Sequence, residues 1–284
     1  MVVTTNDCDK MMCDTPPEEK IADEHSTLLA CTDCTSCPMN CAETLEECYD
    51  REAVMMFAAY EGNLDCVKLL LKEGAKDAGR AMMLAARAGH NHIVDFLLEK
   101  NYISPDLVMW YAAHEGNLDR VKLMLEKGAD DAGWAMRFAA EAGQIHIIEY
   151  LLEIEKNVAR YGSALMFAAL KGHINIVKLL LEKGAKDEFD TAICYAAREG
   201  NIDIVELLID GVNPFNYNDI LRFAAYGGNI DIVRLVLEKR ANNPKSKEIF
   251  CKHYIAKKYQ SAIIDAKKQG HNDILKLLLD NETL

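Results

Sequence analysis

Four cysteines near the start of the chain have the spacing of metal ligands. The run is Cys31-x2-Cys34-x2-Cys37-x3-Cys41. Thiolates at this spacing can bind one soft metal ion, and zinc held by four thiolates suits a short isolated segment. An iron–sulfur cluster uses a similar run, but here Pro38 follows the third cysteine and no second run exists. The alternative is an acidic segment whose cysteines are incidental, and the sequence leaves zinc and this alternative open.

These cysteines belong to a leader, residues 1–50, whose composition differs from that of the rest of the chain. The leader holds 12 acidic residues, 2 basic residues and seven of the ten cysteines, whereas the remaining residues hold 33 acids and 30 bases. The nearly neutral remainder argues against general nucleic-acid binding, which depends on neutralising phosphates. We predict an acidic, cysteine-rich leader at 1–50, either disordered or a small metal-binding segment, and a folded domain at 51–284.

Targeting and catalytic signals are absent from the sequence. No apolar run approaches the roughly 18 residues of a membrane span, and the N-terminus MVVTTNDCDK does not resemble a secretory signal. We therefore expect an intracellular, most simply cytoplasmic, protein that does not bind membranes and whose cysteines are reduced or metal-bound. Without a phosphate-binding glycine loop, a GxSxG or an HExxH motif, we predict no enzyme and no cofactor other than zinc at the leader.

A repeat runs through the remainder of the chain. Segments such as FAAYEGNLDCVKLLL and YAAHEGNLDRVKLML share one glycine, called here the repeat glycine. The repeat glycines are Gly62, Gly89, Gly116, Gly143, Gly172, Gly200, Gly228 and Gly270, at steps of 27, 27, 27, 29, 28, 28 and 42 residues. Such regular spacing indicates about eight stacked units.

Each unit contains the pattern of two helices. The first is short and built from strong helix formers around a pair of alanines. The second has apolar residues on one face, as in LDRVKLML, which is typical of an amphipathic helix. The repeat glycine between them permits the left-handed backbone that ends a helix. We expect Asn63, Asn117, Asn201 and Asn229, which follow it, to cap the second helix.

These residues resemble the ankyrin repeat over about 51–284. The pattern of a double alanine before Gly-His appears as Ala85-Ala86 with Gly89-His90, and an apolar helix ends at Gly128. The Thr-Pro-Leu-His opening of the family is missing, and the units are about six residues shorter than the usual 33. The resemblance implies an all-α, ankyrin-like α-solenoid with shortened inter-repeat loops in place of β-hairpin fingers. Shortened, divergent repeats of this kind are similar to those of protists and their large DNA viruses.

The two ends of the array differ in sequence. The last unit carries Asp265, Lys267 and Lys268 where other units have aromatic residues or alanine, as a capping repeat requires. A basic insertion at about 242–258 precedes it. We favour a solvated helix packed against the cap for this insertion, with binding of an anionic partner as the alternative.

Two positions in each first helix vary freely and lie one turn apart on the same face. Six residues before the repeat glycine stand Met56, Met83, Trp110, Arg137, Met166, Cys194 and Arg222, and two before it stand Tyr60, Arg87, His114, Glu141, Leu170, Arg198 and Tyr226. The row of first helices in a solenoid lines a continuous concave surface, and Trp, Tyr, Arg and Met are enriched at interfaces. The resemblance implies that partners bind on this face.

We therefore predict a non-enzymatic protein–protein interaction module, an adaptor or effector scaffold, that binds another protein through its first helices with Trp110 as the anchor. The alternative function is a metal- or redox-responsive regulator, in which the leader cysteines sense and the repeats serve as scaffold.

Overall fold

The structure is a computed structural model. It describes residues 51–155, 161–213, 216–243 and 252–281, with side chains described from 259 onward in the last range. Within these ranges the chain forms 16 α-helices in eight pairs and no β-strand. The predicted all-α solenoid is confirmed, and the described loops between units contain no strand of a β-hairpin finger.

The helices of each pair are numbered in chain order, so that first helices are odd and second helices even. The first helices are α1 (Arg51–Tyr60), α3 (Ala78–Arg87), α5 (Pro105–His114), α7 (Ala132–Glu141), α9 (Tyr161–Lys171), α11 (Phe189–Glu199), α13 (Tyr217–Gly227) and α15 (Lys252–Gln269). The second helices are α2 (Leu64–Lys72), α4 (Asn91–Glu99), α6 (Leu118–Glu126), α8 (Ile145–Ile154), α10 (Ile174–Glu182), α12 (Ile202–Ile209), α14 (Ile230–Asn242) and α16 (Asn272–Asp280).

The core is continuous along the array and lies between the two rows of helices. The alanine pairs of the first helices allow close approach, and Ala139, Ala140, Ala168 and Ala169 are fully buried. Leu, Ile, Val and Met side chains fill the remaining space, as in Met136, which is also fully buried. The small alanines therefore set the distance between neighbouring units.

Neighbouring first helices pack more closely against each other than neighbouring second helices do. This difference in spacing curves the array, with the first helices on its inner side. The junction between the second and third units is the exception, because α3 and α5 approach each other only sparsely. There Arg120 of α6 contacts α4 instead, and its Nη2 lies 3.0 Å from Oδ1 of Asp95.

Two junctions between units are copies of each other, 54 residues apart in the sequence. At each junction, a histidine of the later unit donates to the carbonyl of the repeat glycine in the earlier unit. His92 Nε2 donates to the Gly62 carbonyl and His146 Nε2 to the Gly116 carbonyl, each at 3.2 Å. At both, a lysine also lies over an aromatic ring of the next second helix. The first four units are thus two similar pairs of units.

The C-terminal unit has an extended first helix. Helix α15 is 18 residues long and includes residues 252–258 of the predicted basic insertion, whereas residues 244–251 lie outside the described ranges. Lys267 and Lys268 are exposed at the C-terminal end of this helix. Asp265 accepts from Nε of Arg222 in the preceding unit at 2.9 Å. Of these three charged residues, Lys267 and Lys268 therefore face solvent, and Asp265 pairs with the neighbouring unit.

Candidate functional site

The predicted partner-binding residues lie on neighbouring first helices, as a row along the inner side of the array. Tyr60, Arg87, Arg222 and Tyr226 are exposed. The half-buried members are Met56, Met83, Trp110, His114, Arg137, Glu141, Met166, Leu170 and Arg198, and Cys194 is buried. The row is therefore a partly open surface with an apolar base.

An aromatic cluster surrounds Arg137 in the middle of the row. Its guanidinium carbon lies 4.4 Å from the ring centroid of Trp134, 5.3 Å from that of Phe138 and 4.2 Å from that of Phe167. Rings at these distances attract a cation through their quadrupoles. The charged end of Arg137 is therefore held between units four and five, with its planar group fixed by the rings.

The two tryptophans of the chain both belong to this cluster, but their environments differ. Their ring centroids are 5.6 Å apart, and Trp110 also stacks on Phe138 at 6.3 Å. The indole Nε1 of Trp110 donates to the carbonyl of Asp131 at 3.3 Å, so this half-buried ring joins two units. Trp134 is 44% exposed. The accessible indole of the cluster is Trp134.

Sequence reasoning missed Trp134 and Phe138. A signal for Phe138 was present, because the residue five before the repeat glycine is large and apolar in seven units: Phe57, Leu84, Tyr111, Phe138, Phe167, Tyr195 and Phe223. No comparable periodicity marked Trp134, one turn earlier on the same face. Its place in the site became visible only from its contacts with Trp110 of the preceding unit and with Arg137 and Phe138 of its own unit.

Several charges on the face are paired locally. Nε of Arg198 lies 2.7 Å from Oε1 of Glu199, and Nζ of Lys171 lies 3.6 Å from Oε1 of Glu141. Nδ1 of His114 lies within hydrogen-bond distance of the neighbouring Glu115, 3.3 Å from its Oε1. Because the charges of Arg198 and Lys171 lie beside those of Glu199 and Glu141, the apolar and aromatic groups provide most of the surface that a partner could desolvate.

Tyr111 stays protonated near this face. Burial raises the pKa of its hydroxyl well above the usual value, the charge of Glu115 raises it further, and Arg87 opposes the change. The phenol is therefore a neutral hydrogen-bonding group at any physiological pH.

The ends of the first helices are joined by side chains that follow the next repeat glycine. His173 Nε2 donates to the Glu141 carbonyl at 3.1 Å, and Gln144 Nε2 donates to the His114 carbonyl at 3.3 Å. Asn201 and Asn229 form similar bonds to carbonyls of the preceding first helix. These contacts hold the backbone carbonyls of His114, Glu141, Leu170 and Arg198, the residues two before the repeat glycine in units three to six.

The capping prediction was correct at two asparagines and wrong at two. Asn63 and Asn117 accept from the backbone amides of Cys66 and Arg120 and so cap their helices. Asn201 and Asn229 occupy the same cap position without a side-chain capping bond. Their amide groups donate instead to carbonyls in the last turn of the preceding first helix, where a helix leaves carbonyls without an intrahelical partner.

The predicted zinc ligands Cys31, Cys34, Cys37 and Cys41 lie outside the described residues. Among the residues that the structure does describe, no group of three or more His, Cys, Asp or Glu side chains could hold a metal ion. The described part of the chain also contains no helix long and apolar enough to cross a membrane.

Curved helical-repeat arrays with an exposed aromatic face form a class of protein-interaction scaffolds. The family model for ankyrin repeats in three copies matches residues 27–109, 109–190, 136–219 and 165–247. The chain belongs to the ankyrin repeat family and is a protein–protein interaction module of that family, whose members generally act without catalysis.

The crystal structure of the human ASB11 ankyrin repeat domain is similar at 26% identity and a TM-score of 0.38, over 56% of this chain and 84% of that chain. Comparison with curated proteins finds no match.

Proposed function

We propose that the chain binds a partner protein through the inner face of its first helices, with Trp134 rather than Trp110 as the principal anchor. The observation that carries this proposal is the cluster of Trp110, Trp134 and Phe138 around Arg137. The 44% exposure of Trp134 leaves a large aromatic surface for a partner to cover. Aromatic and arginine side chains dominate the binding energy of protein interfaces.

The remaining residues of the row support the anchor. Arg137 is fixed between rings, so little side-chain entropy is lost when a partner contacts it. Arg87 lies exposed toward one end of the row and contributes selectivity and charge steering more than affinity. Tyr226 lies exposed toward the other end and adds aromatic surface there. The proposed function is binding rather than catalysis, as is general for ankyrin repeat proteins.

The test compares Trp134→Ala with Leu123→Ala in affinity capture followed by titration of the recovered partner. Leu123 is the matched control, because it is 43% exposed on α6, a second helix. Trp134→Ala should weaken binding at least about tenfold, as loss of a hot-spot residue does, whereas Leu123→Ala should leave it unchanged. Equal effects of the two substitutions would contradict the proposal.

Regulation by the leader cysteines is the alternative carried over from the sequence. The same titration, run with zinc and then with a chelator, tests it on the full chain. A change in partner affinity that disappears in a Cys34→Ser variant would favour a metal-responsive role.

A further inference from the structure

Each first helix has one side toward the preceding unit and one toward the following unit. Burial and exposure in the last unit show which residues lie on which side. In the last unit, Ala262, eight before the repeat glycine, is fully buried, so this position faces the preceding unit. Lys267, three before the repeat glycine, is exposed there, so that position faces the side on which a following unit would pack. Ring contacts agree for the residue five before the repeat glycine, since Phe138 stacks on Trp110 of the preceding unit at 6.3 Å and Phe167 lies 4.2 Å from the guanidinium carbon of Arg137 in the preceding unit.

The first unit has an uncovered face on the side of a preceding unit. Val54, eight before its repeat glycine, is only half-buried. Its equivalents are all buried: Ala81, Val108, Ala135, Ala164, Ala192, Ile220 and Ala262. Phe57, five before the repeat glycine, is 45% exposed, whereas its six large apolar equivalents in later units are half-buried or buried. We call the surface formed by Val54 and Phe57 the N-terminal face.

The two ends of the array are therefore chemically different. At the C-terminal end, Lys267 replaces the alanine that the other seven units carry, and this charge makes the end compatible with water. At the N-terminal end, Val54 and Phe57 are apolar, like the residues at the same positions of interior units. An end unit with interior-type residues needs a cover, because a solenoid unit cannot bury its own stacking faces.

The residues directly before α1 are suited to provide that cover. The match to ankyrin repeats begins at residue 27, upstream of α1, rather than at the predicted boundary of residue 51. Residues 27–50 directly precede α1 in the sequence. Their leucines Leu28, Leu29 and Leu45 suit a surface that packs against α1. Their acidic residues, with no lysine or arginine among them, suit a surface that faces solvent.

We propose that residues 27–50 are the N-terminal capping unit of the array and pack on the N-terminal face. The inference is independent of the proposed partner site, because it concerns the end of the array rather than its row of variable residues. The four clustered cysteines fall inside this segment, so any zinc held by them would stabilise the cap. The folded domain then begins near residue 27, and only residues 1–26 are a leader.

The first test uses the full chain and places a charge on the N-terminal face. Val54→Glu buries a carboxylate if the face is covered, so the melting temperature should fall by about 4 °C or more. Ile264→Glu is the matched control, because Ile264 is an apolar residue of the last first helix that is 48% exposed. Equal melting temperatures for the two variants would overturn the proposal.

The second test removes segments from the N-terminus. A chain of residues 27–284 should melt within about 1 °C of the full chain, and residues 51–284 should melt about 4 °C lower or fail to fold. Amide exchange in α1 should accelerate at least about tenfold in 51–284 and stay unchanged in 27–284. Unchanged melting and exchange in 51–284 would contradict the proposal even if the first test agreed.

A second copy of the chain is the competing occupant of the N-terminal face. Sedimentation of the full chain and of Val54→Glu distinguishes the two cases. A monomer in both supports the cap, whereas a dimer that Val54→Glu converts to a monomer would assign the face to self-association and overturn the proposal.

Discussion

The backbone of Gly227 lies directly against the carbonyl oxygen of Arg198 in the preceding unit and leaves no space between them for a Cβ. The same oxygen accepts from Nδ2 of Asn229 at 2.8 Å. The last turn of α13 is thus held on the last turn of α11 by a contact that only glycine permits. Because the obstacle is a backbone atom, side-chain rotation cannot relieve it.

We expect Gly227→Ala to destabilise the array by roughly 1–3 kcal/mol, as overpacking does. Gly79 is the matched control: it also lies in a first helix, and a Cβ there would meet Leu107 at an ordinary 3.4 Å. Gly79→Ala should therefore stabilise by up to about 1 kcal/mol through helix propensity. Urea denaturation measures the change in the free energy of unfolding for both variants. Changes of the same sign would show that Gly227 is not in close contact with the carbonyl of Arg198.

The stability of the first junction should depend on pH through Glu52. Its carboxylate accepts from the backbone amides of Asp77 and Lys76, and these bonds hold the pKa of Glu52 below its ordinary 4.5. A lowered pKa stabilises the fold above the ordinary value, and that contribution is lost as the pH falls through the folded-state pKa.

We therefore expect Glu52→Gln to lower the melting temperature at pH 7 and the difference from the natural chain to shrink below about pH 4.5. The exposed Glu61, immediately after α1, accepts no such backbone bonds, and Glu61→Gln is the control. A difference for Glu52→Gln that stays constant from pH 7 to pH 3 would show that its charge does not stabilise the junction.

The alanine pairs should not tolerate larger side chains. Ala139 is fully buried between first helices, so Ala139→Leu should destabilise by roughly 1–3 kcal/mol through overpacking. Ala241, exposed in α14, is the control, and Ala241→Leu should be neutral within about 0.5 kcal/mol. Thermal denaturation measures both, and a neutral Ala139→Leu would mean that this alanine does not set the spacing of the helices.

Replacing the two tryptophans should change the free energy of unfolding by different amounts, because Trp110 is packed and Trp134 is accessible. Trp110→Ala removes a packed ring and its hydrogen bond, and we expect a loss of about 2 kcal/mol or more. Trp134→Ala should cost less, because much of that ring already faces solvent.

Fluorescence can follow each ring alone, since the chain contains only these two tryptophans. Acrylamide should quench the Trp110→Phe variant, which retains Trp134, more strongly than the Trp134→Phe variant. The reverse order would show that Trp110 is the accessible ring.

The sequence by itself determined the repeat, the helix pairs and the position of each turn. These features depend on local interactions: the apolar period of Leu118–Glu126 and the glycine stop at Gly116 act within one unit. The exposure of Lys267 could be predicted for the same reason, because the exchange of alanine for lysine is visible at one position when the units are aligned.

Only the tertiary structure decided which side chains cross between units. Asn117 and Asn201 have the same position in the repeat, yet one caps its own helix and the other donates to the preceding unit. The aromatic cluster likewise joins Trp110, Trp134 and Phe167 from three units. Such contacts depend on the spacing and rotation of neighbouring helices and on the rotamers that fit between them, and these follow from packing of the whole array rather than from the pattern within a single unit.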